Sequence, residues 1–354
     1  MTPPVDQSLL KIQVNDMDST RALIKAYPHA AVLIGLRGIV VAFNTAASVH
    51  FSYLREDQPL SFAIRDPELL DAVALTLLDG ETRRFEVSER LPVERAFAVH
   101  VAQAIPMGVL VVFDDLSVGR KLERMRVDFV ANASHELRTP LASLLGFVET
   151  LQGSAKDDSE ARARFLFIME VQAKRMARLI DDLLSLSRIE LNVHIRPSAA
   201  IELSSVVRQI TDALKPLAQD RAVEIMLDLP DSPAVVAGDR DELLRVFENL
   251  IENAIKYGAS GGKVLVEVAN RGAHDITTTV RDFGAGIAAE HLPRLTERFY
   301  RVDQAASREA GGTGLGLAIV KHIALRHGGR LDIESTLGVG SSFRIFFPRL
   351  ESNV

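Results

Sequence analysis

The sequence contains no cysteine, and only 6% of its residues are aromatic. The absence of cysteine excludes disulfide bonds, thiolate zinc sites and iron–sulfur ligation, and it is compatible with a reducing compartment. Long apolar runs are also missing, because residues 30–43 are interrupted by Arg37 and fall short of the roughly 20 residues that span a bilayer. No secretory signal is predicted at the start. We expect a cytoplasmic location for the chain as it stands, and the sequence leaves open whether an inner-membrane anchor was removed from a longer parent.

An excess of basic charge is absent as well. The formal net charge is -6 and 25% of the residues are charged, so no basic field would attract nucleic acid. DNA is therefore not expected as a direct partner. The 354 residues, 47% of them hydrophobic, exceed what one ordinary core holds, and two or three domains are predicted.

The order of strand-like and helix-like segments predicts a multidomain α+β protein. After an N-terminal segment (1–20) comes a small mixed α/β domain (21–116), then a helical hairpin (117–195) and finally an α/β sandwich (200–350). The first domain contains five strand-like runs: Ala31–Leu36, Gly38–Asn44, Arg83–Ser88, Ala96–Ala104 and Gly108–Asp114.

The hairpin carries an apolar stripe on its second arm, which runs from Glu160 to about Leu191. The stripe has three- and four-residue steps, the spacing of a bundle seam: Phe165, Ile168, Gln172, Leu179, Leu183 and Leu186. Two helices cannot bury such stripes on both sides, so we expect a homodimer with a four-helix bundle. The alternative is a hairpin packed against its own neighbouring domain.

The first arm contains the segment SHELRTPL, residues 134–141. On a helix His135 and Thr139 are one turn apart and share a face, and Pro140 should bend the helix beside the histidine. An imidazole near neutral pH can accept a phosphoryl group, and the adjacent Glu136 can hold or take its proton. His135, Glu136 and Thr139 are the predicted catalytic residues. A lone histidine in a helix would otherwise be a surface or core residue.

A second helical segment, FENLIENAIKY (247–257), places Asn249, Asn253 and Lys256 on one face. Amide oxygens are suitable ligands for Mg²⁺, and a lysine beside them can neutralise phosphate charge. A solvated polar face is the alternative for this segment taken alone.

Two glycine-containing loops follow that helix. Asp282, in RDFGAGI (281–287), could accept a hydrogen bond from an adenine amino group, although such a motif is weak by itself. The loop GGTGLGL (311–317) leads into a helix whose first amides suit phosphate oxygens. It is not a P-loop, because the terminal lysine and Ser/Thr are missing.

The segment SHELRTPL resembles the phosphoacceptor motif of bacterial sensor histidine kinases. The ordered set of the asparagine helix, the two glycine loops and GVGSSF (338–343) resembles the ATP-binding domain shared by histidine kinases and gyrase-type ATPases. This resemblance implies that ATP and Mg²⁺ are bound, with Asn253 as the metal ligand, Asp282 at the adenine and Arg301 near the γ-phosphate. The complete set of predicted nucleotide-binding residues is Asn249, Asn253, Lys256, Tyr257, Asp282, Gly284, Gly286, Tyr300, Arg301, Gly312, Thr313, Gly314, Leu315 and Gly316.

Two further segments, LERMRVDFVAN (122–132) and RLTERFYRVD (294–303), resemble the phosphate-regulon sensor subgroup. The first domain, including RDPELL (65–70), resembles a PAS sensor domain, which in that subgroup relays the state of a transport complex. Its scattered histidines are interpreted as surface or core residues rather than haem ligands. What the domain senses is not encoded in a recognisable motif.

The resemblance implies a kinase that phosphorylates His135, transfers the phosphate to an aspartate of a response regulator and also dephosphorylates that regulator. Partners linked to a membrane or a transporter are implied for the PAS-like domain. The alternatives are an ATP-binding scaffold, a phosphatase-dominant regulator of another two-component pathway, or a gyrase- or chaperone-like ATPase. The last of these would not need His135 on a dimer helix.

Overall fold

In a computed structural model of the chain, four stretches are described: residues 19–89, 95–272, 274–303 and 312–350. The predicted segment 1–20 lies almost entirely outside them, as does Gly311. The chain divides into two compact units after Asp128. Within the described stretches, no helix is both long and apolar enough to cross a membrane.

The first unit is built on an antiparallel five-stranded sheet with the order β2-β1-β5-β4-β3. The strands are β1 (Ala30–Ile34), β2 (Val40–Phe43), β3 (Arg83–Glu89), β4 (Arg95–Ala104) and β5 (Gly108–Asp115). They agree within two residues with the five predicted runs. The mixed α/β organisation is thus as expected, and the PAS-like assignment of this unit stays a prediction.

Two helices, α1 (Thr45–His50) and α2 (Pro67–Asp79), lie between β2 and β3. Asp66 caps α2, because its carboxylate accepts a hydrogen bond from the amide of Leu69 and Pro67 occupies the first turn. The RDPELL segment therefore has a local structural role. Beneath the helices the rings of Phe51, Phe97 and Phe113 pack together in the core.

The hairpin consists of α3 (Ser117–Gln152) and α4 (Ser159–Leu191). Phe147 stacks on Phe165 at 5.2 Å, and farther along Glu136 contacts Arg175, so the two helices run antiparallel as predicted. Asp158 caps α4 with its carboxylate. Pro140 lies inside α3, which continues as helix on both sides of it.

The second unit also contains the predicted sandwich. Its main sheet has the order β11-β12-β10-β9-β7, in which β7 pairs with β9 in parallel and the other pairs are antiparallel. A second sheet pairs β6 with β8. The strands are β6 (Ala199–Glu202), β7 (Glu224–Asp228), β8 (Val235–Gly238), β9 (Lys263–Arg271), β10 (Asp275–Asp282), β11 (Arg330–Thr336) and β12 (Gly340–Pro348).

Three helices pack on the main sheet: α5 (Leu203–Asp220), α6 (Arg240–Tyr257) and α7 (Gly316–Arg326). The apolar face of α6, with Phe247, Leu250 and Ile251 fully buried, contributes to the core. Because of the helical period, this burial turns the opposite face, with the two asparagines, away from the sheet. The core thus fixes the direction in which the polar groups of α6 point.

Candidate functional site

His135 lies on an exposed face of α3 together with Thr139. The Thr139 hydroxyl donates to the backbone carbonyl of His135, one turn earlier, at 3.3 Å. Both side chains therefore project from one side of the helix, as the spacing predicted. The catalytic roles of His135 and Thr139 stay predictions.

The Glu136 carboxylate faces two arginines. Its Oε2 accepts hydrogen bonds from Arg175 of α4 at 3.2 Å and from Arg301 at 3.1 Å. The sequence predicted Glu136 as a partner of the His135 imidazole and gave no indication of Arg175. In this conformation the carboxylate joins the two arms of the hairpin to the segment that contains Arg301.

Arg301 was expected near the γ-phosphate of ATP. Its side chain is only 4% exposed, and its guanidinium also donates to the carbonyl of Gly312 at 2.9 Å. The Nε of Arg301 is buried and has no hydrogen-bond partner among the described residues. A buried unpaired donor at this point would suit an anionic oxygen of a ligand.

The polar face of α6 presents Asn249, Asn253, Lys256 and Tyr257. Lys256 is largely buried and pairs with Glu252 at 2.8 Å, whereas Tyr257 is half exposed. The amide nitrogen of Asn249 donates to the carbonyl of Arg245, and a Cβ on Gly316 would lie 2.4 Å from its oxygen. The absence of a side chain at Gly316 therefore allows the first turn of α7 to approach α6. These contacts make a simple solvated polar face a poor description.

Asp282 ends β10 and is only 5% exposed. Its Oδ1 accepts from the amides of Gly284 at 3.0 Å and Ser341 at 3.3 Å. Burial raises the pKa of the Asp282 carboxyl, while these amides act in the opposite direction. A buried carboxylate held by backbone amides is a fixed acceptor, which suits the amino group of a purine.

The glycines near Asp282 are needed for close backbone packing. Gly286 has a φ of 70°, and a Cβ there would lie 2.1 Å from the carbonyl oxygen of Thr336. A Cβ on Gly284 would lie 2.7 Å from the Cα of Gly258. Gly284 therefore shapes the turn around Asp282, while Gly286 also lines the cavity described below.

The second glycine loop leads into α7 without a side-chain cap, because Leu315 at the N-cap offers no hydrogen-bonding side chain. The amides of the first turn of α7 therefore have no side-chain acceptor from the cap, a condition that suits phosphate oxygens. Thr313 is buried, and Gly314 has a φ of 74°. The side chain of Leu315 belongs to the core, so any ligand contact at this residue would involve its backbone.

These groups surround a cavity of about 790 Å³, a size common for ligand sites. Most of the predicted nucleotide-binding residues line it; Gly284 and Leu315 do not. Tyr300 also lines it, and its hydroxyl lies 2.7 Å from Nδ1 of His291. The residues therefore fit ATP: a buried acceptor, an uncapped helix start, a lysine and amide oxygens meet at one cavity. Asn253, half-buried on α6, is the residue that would hold Mg²⁺.

The sequence did not predict several residues of this cavity. The backbone amide of Ser341 donates to Asp282; its GVGSSF motif belongs to the set that resembles the ATP-binding domain, but no contact was predicted for Ser341 itself. Arg245 lies one turn before Asn249 on α6, and helical spacing could have indicated it. Asp182 belongs to the hairpin helix α4, and no local pattern pointed to it.

Two family models match the chain. Residues 125–192 match the His Kinase A (phospho-acceptor) domain, and residues 238–351 match the histidine kinase-, DNA gyrase B- and HSP90-like ATPase model. The phosphate regulon sensor protein PhoR of Pseudomonas aeruginosa is 38% identical over 295 residues, which are 82% of this chain and 64% of that protein. The sensor-like histidine kinase SenX3 of Mycobacterium bovis is 35% identical over 84% of this chain and 75% of its own length.

The chain belongs to the sensor histidine kinase family. Among its relatives it covers 64% of PhoR and 62% of SenX3 of Mycolicibacterium smegmatis. A solved structure of the histidine kinase ThkA in complex with the response regulator protein TrrA covers 94% of this chain at a TM-score of 0.50 and 17% identity. That likeness concerns the fold and supports the multidomain α+β class.

Proposed function

We propose that this chain is an ATP-dependent protein-histidine kinase of a two-component system, which phosphorylates His135 and passes the phosphate to an aspartate of a response regulator. One observation carries the proposal. Arg301 binds both Glu136, which follows His135 in the chain, and the carbonyl of Gly312 in the glycine loop of the cavity. The residue beside the acceptor and the predicted phosphate loop are thus bridged by a single side chain.

Different residues of the cavity bind different parts of ATP. Asp282 accepts from the adenine amino group, and Lys256 and the first amides of α7 bind phosphate oxygens. When bound, ATP supplies the phosphoryl group, and Mg²⁺ neutralises charge on the phosphates. Asn249 and Tyr257 complete the phosphate and ribose region.

In the transfer step a ring nitrogen of His135 attacks the γ-phosphorus. The nitrogen–phosphorus bond forms as the bond between the γ-phosphorus and the bridging oxygen of ADP breaks, and the proton of the other ring nitrogen passes to Glu136 or to water. Glu136 is held by two arginines in this structure. It must therefore exchange a partner before it can act on the imidazole.

The test is labelling with γ-³²P-ATP, followed by acid and alkali treatment. A kinase gives label on the chain that is acid-labile and alkali-stable, whereas a scaffold gives no label and a gyrase-like ATPase releases phosphate without labelling the chain. His135→Ala should remove the label and leave ATP binding nearly intact. The matched control is His194→Ala, because His194 is another exposed histidine of the same unit. Full labelling of His135→Ala would refute the acceptor assignment.

The same proposal includes a homodimer. The hairpin of the second unit leaves apolar side chains exposed on both helices: Val130, Leu141, Leu145, Leu166, Phe167, Val171, Ile180 and Leu184. Burying them against a second hairpin would build a four-helix bundle. Whether phosphate then passes within or between subunits depends on the turn near Gly153.

The pathway is proposed from similarity to PhoR. We assign the chain to phosphate-starvation signalling, with the PAS-like domain as a docking unit for membrane- or transporter-linked partners. The regulator would approach α3 just after His135. In that region Ser143 is exposed, whereas Thr150 is half-buried and its hydroxyl donates to the carbonyl of Gly146.

A further inference from the structure

One wall of the nucleotide cavity comes from the helical hairpin rather than from the sandwich. Arg178, Asp181 and Asp182 of α4 line the cavity together with the asparagine face of α6 and the glycine loop. Asp182 is the most buried of the three, with 8% of the residue exposed. This carboxylate therefore lines the cavity that an anionic ligand would occupy.

Both oxygens of Asp182 are occupied by groups that also line the cavity. Oδ1 accepts from Arg245 of α6 at 2.6 Å, and Oδ2 accepts from the hydroxyl of Thr313 in the glycine loop at 2.7 Å. Arg245 also donates to the hydroxyl of Ser185, one turn along α4 from Asp182. Through Asp182 and Ser185, α4 is thus attached to α6 on one side of the predicted phosphate region. Through Asp182 it is also attached to the glycine loop on the other side.

Arg245 and Thr313 are donors that a phosphate chain would use. A guanidinium pairs with phosphate as readily as with carboxylate, and a hydroxyl beside an uncapped helix start can donate to the same oxygens. The Asp182 carboxylate competes for these donors and also repels a phosphate placed beside it, an effect that is stronger where water is excluded.

We infer that Asp182 sets the nucleotide affinity of this site by withholding Arg245 and Thr313 from the phosphate chain. Binding of a nucleoside triphosphate then releases α4 from the glycine loop, and attachment of α4 weakens nucleotide binding by the same factor, because coupling between two binding events is reciprocal. This inference rests on the proposed function, since it takes the cavity as the nucleotide site.

The test is calorimetric titration of the full chain with Mg-ATP and with adenosine. Asp182→Asn keeps the shape of the side chain and removes its charge. We expect it to bind ATP about tenfold more tightly than the wild type, within the usual range of coupling between sites. Binding of adenosine should not change, because adenosine has no phosphate to compete with Asp182.

The matched control is Asp181→Asn. Asp181 lines the same cavity and has the same charge, but the bonds to Arg245 and Thr313 are made by Asp182. If both variants tighten ATP binding equally, the gain comes from removing a negative charge beside the cavity and not from the release of Arg245 and Thr313. The inference is then wrong. It is also wrong if Asp182→Asn leaves ATP binding unchanged, weakens it, or tightens adenosine equally.

A measurement on the wild type covers the case in which Asp182→Asn does not fold. Addition of Mg-ATP should speed hydrogen exchange of the amides of residues 179–189, and adenosine should not. Unchanged exchange with ATP bound would overturn the inference. If the wild type binds no ATP at all, the proposed function itself fails; if it binds ATP and the predicted changes are absent, only the role of Asp182 fails.

Discussion

Asp282 is the buried side chain that we propose as the acceptor for the adenine base. Its carboxylate is held by two backbone amides at the end of β10, and its surroundings are closed by glycines that leave no room for side chains. Such an acceptor cannot turn to other partners. Its contribution to binding should therefore be large and specific for the base.

Asp282→Ala is expected to cause a large loss of ATP binding, roughly 10- to 150-fold in affinity, because a buried donor of the base would lose its acceptor at a cost of roughly 1.5–3 kcal/mol. Calorimetry with Mg-ATP measures the change. Asp275→Ala is the control, since Asp275 is an exposed aspartate at the other end of the same strand. Unchanged affinity in Asp282→Ala would contradict the adenine assignment.

Thr139 is expected to matter more for removing phosphate from the regulator than for loading His135. Its exposed hydroxyl lies one turn from the histidine, where it can orient a water in line with an aspartyl-phosphate. Thr139→Ala should keep most autophosphorylation and slow regulator dephosphorylation about tenfold or more, roughly 1.4 kcal/mol in the barrier.

Ser134→Ala provides the control for Thr139, because the Ser134 hydroxyl makes the same kind of bond to a carbonyl one turn earlier, that of Val130. Both activities should survive this change. A parallel loss of kinase and phosphatase activity in Thr139→Ala, or no change in either, would make Thr139 a packing residue beside Pro140.

At the scale of elements, His327 joins the end of α7 to the start of α6. Its Nε2 accepts from the amide of Asp239, the N-cap of α6, at 3.0 Å, and its Nδ1 lies 2.8 Å from the carbonyl of Ile323. These contacts require a neutral ring with its proton on Nδ1. Burial lowers the pKa of His327.

Acidification should therefore destabilise this junction. With a lowered pKa in the folded state, the unfolded chain binds the proton first as the pH falls through about 6.5, so the free energy of unfolding decreases below that pH. Urea unfolding between about pH 5 and 7 should show a smaller pH slope in His327→Gln. His194→Gln, at an exposed site, should keep the wild-type slope. An equal slope in wild type and His327→Gln would refute this role.

The exposed apolar side chains of the two hairpin helices indicate that the chain dimerises. We expect the chain to be a dimer by light scattering at micromolar concentration, and Leu145→Lys to weaken it, because Leu145 is 57% exposed within one chain. Ser143→Lys adds the same charge two residues away on another face of α3 and should leave the dimer intact. A monomeric wild type would count against the four-helix bundle.

At the scale of the whole molecule, the choice of response regulator can be tested by phosphotransfer. Phosphorylated chain should transfer phosphate fastest to a regulator of the phosphate-starvation type when it is tested against all response regulators of its organism. Complementarity of the docking surfaces sets that preference through the rate of productive encounter. A consistent preference for a regulator of another pathway would refute the phosphate assignment and leave the kinase assignment intact.

Much of the fold followed from local patterns. The five strands of the first unit lie within two residues of their predicted bounds, and α4 (Ser159–Leu191) matches the second arm that was predicted from Glu160 to about Leu191. Strand alternation, the helical period and helix caps each involve only a few neighbouring positions, as the caps Asp66 and Asp158 show. Such patterns can therefore be recognised in the sequence.

The sequence by itself determined the chemical groups: a histidine beside a carboxylate, an asparagine face on a helix and an aspartate followed by glycines. The tertiary structure decided the partners of those groups. Arg301 meets Glu136 across 165 positions, and Asp182 meets Thr313 across 131. Such contacts depend on how the hairpin helices pack against the sandwich, and no periodicity or cap encodes that packing because its energy comes from surfaces that are far apart in the chain.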